Sequence, residues 1–277
     1  MDDAQSVRIG ISGWRYPPWR GVFYPEGLRQ HDELAYASRR LSAIEINGTF
    51  YSLQRPAYFA AWAAETPESF VFAVKAPRYI THILRLRDAR APLANFLASG
   101  LFELGSKLGP ILWQLPPSFP YERERIEAFL AQLPHDTDAA AQLAAAHDSK
   151  VEGRCTLEAG PNRPLRHALE VRHPSFETAE VSGLLRAHDV ALVCADSPAW
   201  PRFTEPTAGF VYCRLHGPEE LYAGGYDDAA LDSWAERVRG WSATGLAVFV
   251  FFDNDAKVRA PFDAQALARR LGVIPQE

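Results

Sequence analysis

The sequence predicts an α/β fold, a closed (β/α)8 TIM barrel, and three observations point to it. Eight short β-branched or aromatic runs alternate with amphipathic helical stretches, which implies right-handed βαβ units and a parallel sheet. The chain has 277 residues, close to the ~250 that such a barrel commonly fills. The competing arrangement, an open doubly wound sheet, needs a Gly-rich dinucleotide fingerprint after its first strand. Gly10-Ile11-Ser12-Gly13 has no third glycine at that spacing.

In chain order, the first strand is expected at residues 7–12 and the first helix at 32–40. Strand 43–47 precedes helix 57–65, strand 70–75 precedes helix 92–104, and strand 111–114 precedes helix 122–133. A long stretch, 134–166, then interrupts the alternation. Its Ala-rich beginning, 139–146, favours a helix, and it turns polar at 148–153. It reads as a surface insertion in one domain spanning 1–277. Strand 168–172 and helix 178–188 follow, then strand 191–196. The next connection, 197–209, holds Pro198, Pro201 and Pro206, so an irregular Pro-rich segment replaces the helix after strand six. Strand 211–216, helix 229–241, strand 248–253 and helix 263–271 complete the pattern.

Composition bounds the function. Hydrophobic residues make up 47% and aromatics 12%, enough for a large core and against disorder. Acids outnumber bases 34 to 29, a formal charge of −5 that argues against a generic nucleic-acid or membrane-surface binder. No apolar run approaches the ~18–20 residues of a membrane span. Residues 1–5 lack the basic and apolar regions of a secretory signal, so a cytoplasmic protein is expected. Cys155, Cys194 and Cys213 are odd in number and contain no C-x-x-C pair, which reads as reduced thiols.

Nearly every expected strand begins apolar and finishes in a polar side chain. The series is Ser12; Glu45 and Asn47; Lys75; Gln114; Glu170 and Arg172; Asp196; Arg214 and His216; then Asp253 with Asn254. Alternation places Glu45 with Asn47, Glu170 with Arg172, and Arg214 with His216 on common faces. In a barrel those faces point to the axis at the carboxyl ends of the strands, where barrel enzymes do their chemistry. Gathering so many ions costs several kcal/mol each in desolvation, which stability alone does not justify. A ligand-holding mouth is the expected explanation.

Several of these runs carry a family resemblance. They include Gly10-Ile11-Ser12-Gly13-Trp14, Trp19-Arg20-Gly21-Val22-Phe23-Tyr24-Pro25 and Glu45-Ile46-Asn47-Gly48-Thr49-Phe50-Tyr51. Phe72-Ala73-Val74-Lys75-Ala76-Pro77, Trp113-Gln114-Leu115-Pro116-Pro117 and Glu170-Val171-Arg172-His173-Pro174-Ser175-Phe176 continue the series. Arg214-Leu215-His216-Gly217 and Phe252-Asp253-Asn254 close it. In this order they resemble domain-of-unknown-function family 72, the YecE-like proteins, over nearly the whole chain. The resemblance implies a TIM barrel and supplies no reaction. Members often carry two asparagines after the last strand, whereas this chain has Asp253-Asn254, one more negative charge.

For chemistry, Glu45 and Glu170 are the preferred carboxylate pair, one held ionised by Lys75 with Arg172 or Arg214. His216 is expected to reach the mouth as acid, base or phosphate donor; His173 reads as a structural loop residue. The basic run Lys75, Arg78, His82, Arg85, Arg87 and Arg90 should focus an anion. Trp14, Tyr51, Tyr222 and Tyr226 suit stacking on a sugar or base, while Trp19, Phe50 and Trp200 suit loop packing. The expected activity is acid–base chemistry on a small anionic or sugar-like molecule, with no cofactor and no metal. Glu45, Glu170 and His216 are catalytic in this reading. Ser12, Trp14, Asn47, Tyr51, Lys75, Gln114, Arg172, Asp196, Arg214, Tyr222, Tyr226, Asp253 and Asn254 bind. One alternative is a divalent-metal phosphodiesterase or sugar isomerase using Glu45, Glu170, Asp196, His216 and Asp253. The other is a non-catalytic binder of a metabolite or single-stranded nucleic acid, the aromatics interleaved with bases favouring the latter's chemistry.

Overall fold

The computed structural model describes residues 7–273. Residues 1–5, on which the reading of the secretory signal rests, lie outside the described residues. Nine strand segments form one parallel sheet among the described residues: β1 (Val7–Ser12), β2 (Ala43–Ile46), β3 (Val71–Lys75), β4 (Leu108–Gln114), β5 (His167–Glu170), β6 (Val190–Leu192), β7 (Cys194–Asp196), β8 (Phe210–Leu215) and β9 (Ala247–Phe252). The order is β6-β5-β4-β3-β2-β1-β9-β8-β7. Because β6 and β7 are consecutive and separated by Val193 alone, they are one barrel strand with a break, and the fold is the α/β TIM barrel. The expected strands ending at 47, 172, 216 and 253 stop one or two residues earlier. Asn47, His216 and Asp253 therefore directly follow their strands, and Arg172 stands one residue further on. Among the described residues no helix is long and apolar enough to cross a membrane.

The contacts form two compact units, Met1–Glu45 with Ala191–Glu277, and Ile46–Val190. In the first, β1 pairs with β2 and β9, β9 with β8, and β8 with β7. Gly10 lets β1 approach β2, since a Cβ there would lie 1.9 Å from the Ala43 carbonyl oxygen. Helix α1 (Glu33–Ser38) belongs to this unit.

In the second unit, the helices are α2 (Gly48–Tyr51), α3 (Pro56–Glu65), α4 (Arg90–Ala98), α5 (Arg123–Leu130), α6 (Thr137–Ala144) and α7 (Ala179–Ala187). The helix expected at 92–104 is split: α4 stops before Gly100, and a 3-10 segment, Leu101–Lys107, follows. Gly100 has φ 122°, and a Cβ there would meet Pro56 Cα at 2.6 Å, so only glycine serves. The Ala-rich start of the insertion is α6, capped by Asp136, whose carboxylate accepts from the Ala139 N–H. Ala140 and Ala144, one turn apart, are buried, and the helix packs on α4.

The remaining helices, α8 (Asp228–Ala243) and α9 (Ala260–Leu271), belong to the first unit and pack on each other. Leu231, Trp234, Ala235 and Val238 give α8 the apolar stripe that the alternation predicts. Residues 197–209 hold no helix, as their prolines require.

His167 shows how the second unit handles a buried polar ring. Its Nε2–H donates to the Pro134 carbonyl at 2.7 Å, and its Nδ1 accepts from the Trp113 indole at 3.1 Å. Both nitrogens of the neutral ring are satisfied, and burial holds the pKa down at about 4. A histidine with a depressed folded pKa stabilises the fold fully above its unfolded pKa, about 6.5. That contribution fades as pH falls toward 4, by on the order of 3 kcal/mol. Guanidinium titrations at pH 7 and 4.5 should show this fall in wild type and a smaller one in His167→Asn. Equal falls would remove His167 from the acid sensitivity.

Candidate functional site

In the first unit, register decides which side chains share the inner face. Ser12 pairs with Glu45, Gly10 with Phe251, and Phe251 with Arg214. Alternation along β8 puts Tyr212, Arg214 and the following His216 on that face, and along β9 it adds Asp253. Glu45 is fully buried. Its Oε1 accepts from Ser12 Oγ at 3.2 Å and Arg214 Nη2 at 2.9 Å, and its Oε2 accepts from Tyr212 Oη at 2.6 Å and Arg214 Nε at 3.0 Å. Arg214 Nη2 also reaches Asp253 Oδ2 at 3.0 Å and Ser12 Oγ at 3.3 Å. One guanidinium thus joins two carboxylates.

The chain of contacts continues outward. Asp253 Oδ2 lies 3.0 Å from His216 Nδ1. The Asp253 side chain is 12% exposed, while those of Arg214 and His216 are fully enclosed. The rings of Trp200 and Tyr222 stand edge-on to the imidazole, with centroids at 4.9 and 5.5 Å. The Tyr222 N–H donates to the His216 carbonyl. Tyr222 itself has φ 64°, a left-handed conformation that favours glycine, imposed by the short return of this loop. Burial, then the negative charge of Asp253, raise the Asp255 carboxyl above its usual range, opposed by a hydrogen bond from Tyr16 and the charge of Arg214.

Three expected mouth residues lie elsewhere. Asp196 pairs in register with Leu215, not Arg214, and so faces the helix layer. Its Oδ2 accepts from the Trp234 indole of α8 at 3.2 Å, and Oδ1 is bound by Arg202. Tyr226 is buried against Phe252, accepts from the Gly217 N–H at 3.2 Å, and has its hydroxyl pKa raised by burial. It is loop support and offers no stacking face. Asn254 is buried, with Nδ2 donating to the Gly224 carbonyl and Asp263 Oδ2, both at 2.9 Å. Trp14 is 6% exposed. Its carbonyl accepts from Tyr24 Oη.

The metal reading needs Glu45, Asp196, His216 and Asp253 from this unit. Arg214 supplies the positive charge between Glu45 and Asp253, and Asp196 faces α8. Among the described residues no three His, Cys, Asp or Glu side chains are grouped to hold a metal ion.

In the second unit, Lys75 pairs in register with Leu112 and Gln114 with Glu170, so Lys75, Gln114 and Glu170 share a face. Arg172 binds Glu170 Oε1 at 2.6 Å. Lys75 Nζ lies 4.4 Å from the centre of the Phe50 ring. Gln114 Nε2 donates to the Leu115 carbonyl at 3.0 Å and lies 3.5 Å from His82 Nε2. Asn47 is half-buried, and its Oδ1 has no hydrogen-bond partner among the described residues. Tyr51 is exposed. Burial, reinforced by Lys75, Arg78, Arg172 and Arg85, lowers the His82 pKa to about 4. The ring is neutral at pH 7, since burial first and the surrounding positive charge second oppose its protonation. An anion drawn to these cations should raise that pKa. Proton NMR titration of His82 with and without phosphate reads the shift directly, and an unchanged value would deny that the cluster takes an anion.

Two participants escaped the sequence reading. Tyr212 stands two residues before Arg214, and strand alternation signals its facing. Asp255 lies past the strand end, where no period applies.

Comparison with known proteins adds the family. A family model described as protein of unknown function DUF72 matches residues 8–277. The chain is 30% identical to the UPF0759 protein YecE of Escherichia coli over 129 residues, 46% of this chain and 44% of that protein. It is 28% identical to the UPF0759 protein YunF of Bacillus subtilis over 134 residues, 47% of this chain and 46% of that protein. The chain thus spans less than half the length of these curated relatives. Among solved structures, a DUF72 family protein from Thermotoga maritima is similar with TM-score 0.76 and 26% identity, covering 96% of this chain and 99% of that one. Another, from Enterococcus faecalis, is similar with TM-score 0.73 and 16% identity, covering 98% of each chain.

Proposed function

Because the chain belongs to the DUF72 family of proteins of unknown function, its membership brings no reaction, and we propose one from its polar strand ends. The protein binds a small anionic molecule, bearing phosphate or carboxylate, or a sugar-like one, and transforms it by acid–base chemistry. The contact between His216 Nδ1 and Asp253 Oδ2, 3.0 Å long, carries this reading. A carboxylate this close to Nδ1 stabilises the imidazolium formed when the ring takes a proton.

Arg214 and Glu45 then have supporting roles. Arg214 fixes Asp253, and Glu45 fixes Arg214. With both of its oxygens engaged by Ser12, Tyr212 and Arg214, Glu45 is a positioning residue in this proposal. Within the second unit, Lys75, Arg172 and Gln114 are assigned to binding an anion, with Glu170 as a carboxylate held by Arg172. Ser12, Asn47, Tyr51, Trp14 and Tyr222 complete the binding set. The proposal takes the chain as a single domain in the cytoplasm with an insertion at 134–166, and requires no cofactor.

The test is a thermal-shift and calorimetric panel of sugar phosphates, sugar acids and their uncharged parent sugars, with native mass spectrometry of the purified protein. A binder at 100 times its Kd should stabilise the fold by about 2.7 kcal/mol. Anionic members are expected to bind, and Asp253→Asn to weaken them. An anion-blind panel, with no copurified small molecule, would defeat the proposal.

A further inference from the structure

A cavity of about 320 Å³ opens in the second unit beside the loop that follows β3. Its walls are largely aromatic and apolar, among them Phe50, Tyr79, Ile80 and Ile83, and its charged lining residues are Arg78 and Lys150, both cations. Lys150 Nζ lies 5.1 Å from the centre of the Tyr79 ring. Such walls accept a flat ring, and the cations require a negative substituent beside it.

Asn95 fixes one wall of the cavity. It lines the cavity yet is only 2% exposed. Its Oδ1 accepts from the Asp148 N–H at 2.9 Å, which settles the amide's orientation. The Lys150 N–H, and after it a hydrogen bond from the Asn95 side chain, hold the Asp148 carboxyl below its usual range, so Asn95 ties this wall of the cavity to the 148–150 turn. We propose that this cavity is a binding site for a planar aromatic ring that carries an anionic group, met by Arg78 and Lys150. The inference does not depend on the His216 reading: Tyr51, assigned to binding there, also lines this cavity, but Arg78 and Lys150 have no part in that reading.

An aryl carboxylate and a nucleoside monophosphate share this chemistry, and the experiment separates them. Isothermal titration of the full chain uses 4-hydroxybenzoate and uridine 5′-monophosphate, each beside its uncharged counterpart, phenol or uridine, and inorganic phosphate alone. One anionic aromatic should bind one-to-one, with its uncharged counterpart and Arg78→Ala each about tenfold weaker. Whichever binds names the source. Ile83→Trp, at a position 60% exposed and therefore tolerant, should fill the cavity and abolish binding. His216→Gln should leave binding unchanged, so that failure of the acid–base proposal and failure of this one are distinguishable. Absence of binding by both aromatics, equal affinity for inorganic phosphate, or indifference to Arg78→Ala and Ile83→Trp would each overturn the assignment.

Discussion

Arg214→Met is expected to lower the free energy of unfolding by about 3–5 kcal/mol, because it leaves two carboxylates enclosed without their shared cation. Arg214 is fully buried and donates to Glu45 at 2.9 and 3.0 Å and to Asp253 at 3.0 Å. Methionine keeps the packing volume but no donor. Ser12 and Tyr212 would still hold Glu45, whereas Asp253 would retain only His216 from this set. The measurement is the guanidinium midpoint at constant m-value. Arg214→Lys should recover only part of the loss, since an ammonium lacks the planar fork that reaches both carboxylates.

The double variant Glu45→Gln/Arg214→Met separates charge from packing. Removing one of the stranded carboxylates should return part of the lost stability, with a coupling of about 0.5–3 kcal/mol. A loss below about 1 kcal/mol for Arg214→Met would mean that water replaces the guanidinium, and that these carboxylates are more open than their burial indicates.

The strands and most helices were legible because their signal is local. Runs such as Val248-Phe249-Val250-Phe251-Phe252 have the β-branched and aromatic character of a buried strand, and the Leu231-Trp234-Ala235-Val238 stripe has helical period. The facing of Arg214, His216 and Glu45 followed from alternation, as did the shared face of Lys75, Gln114 and Glu170 on separate strands once their register is known. Asp196 was misplaced for the complementary reason. Its strand breaks at Val193, and its facing is set by pairing with Leu215, a relation between chain segments that no local period contains.

Long-range partners were likewise hidden. The contacts of His167 with Trp113 and Pro134 join positions 54 and 33 residues away. Tyr226 looks like a stacking residue in a loop, and only its burial against Phe252 shows its structural role. Composition cannot separate an aromatic that covers a core from one that meets a ligand. The same limit applied to the basic run after β3, whose cations became interpretable once their common effect on His82 was visible.

His216→Gln is expected to reduce turnover by about 10²–10⁴-fold while leaving ligand affinity and the unfolding midpoint nearly intact, because it removes the proton-transferring group and keeps a polar side chain of similar reach. Asp253→Asn tests the same assignment from the other side. An asparagine keeps the shape of the side chain but carries no charge to stabilise the imidazolium when the ring takes a proton. Its effect should therefore fall on kcat more than on KM, as for an interaction made in the transition state. The enclosing rings of Trp200 and Tyr222 sharpen the test. Trp200→Ala should admit water and let diethyl pyrocarbonate modify His216 faster, without altering the contact to Asp253. If His216→Gln keeps full turnover with a substrate from the anionic panel, proton transfer belongs to another group, and Asp255, its carboxyl already pushed toward the protonated form, is the next to substitute.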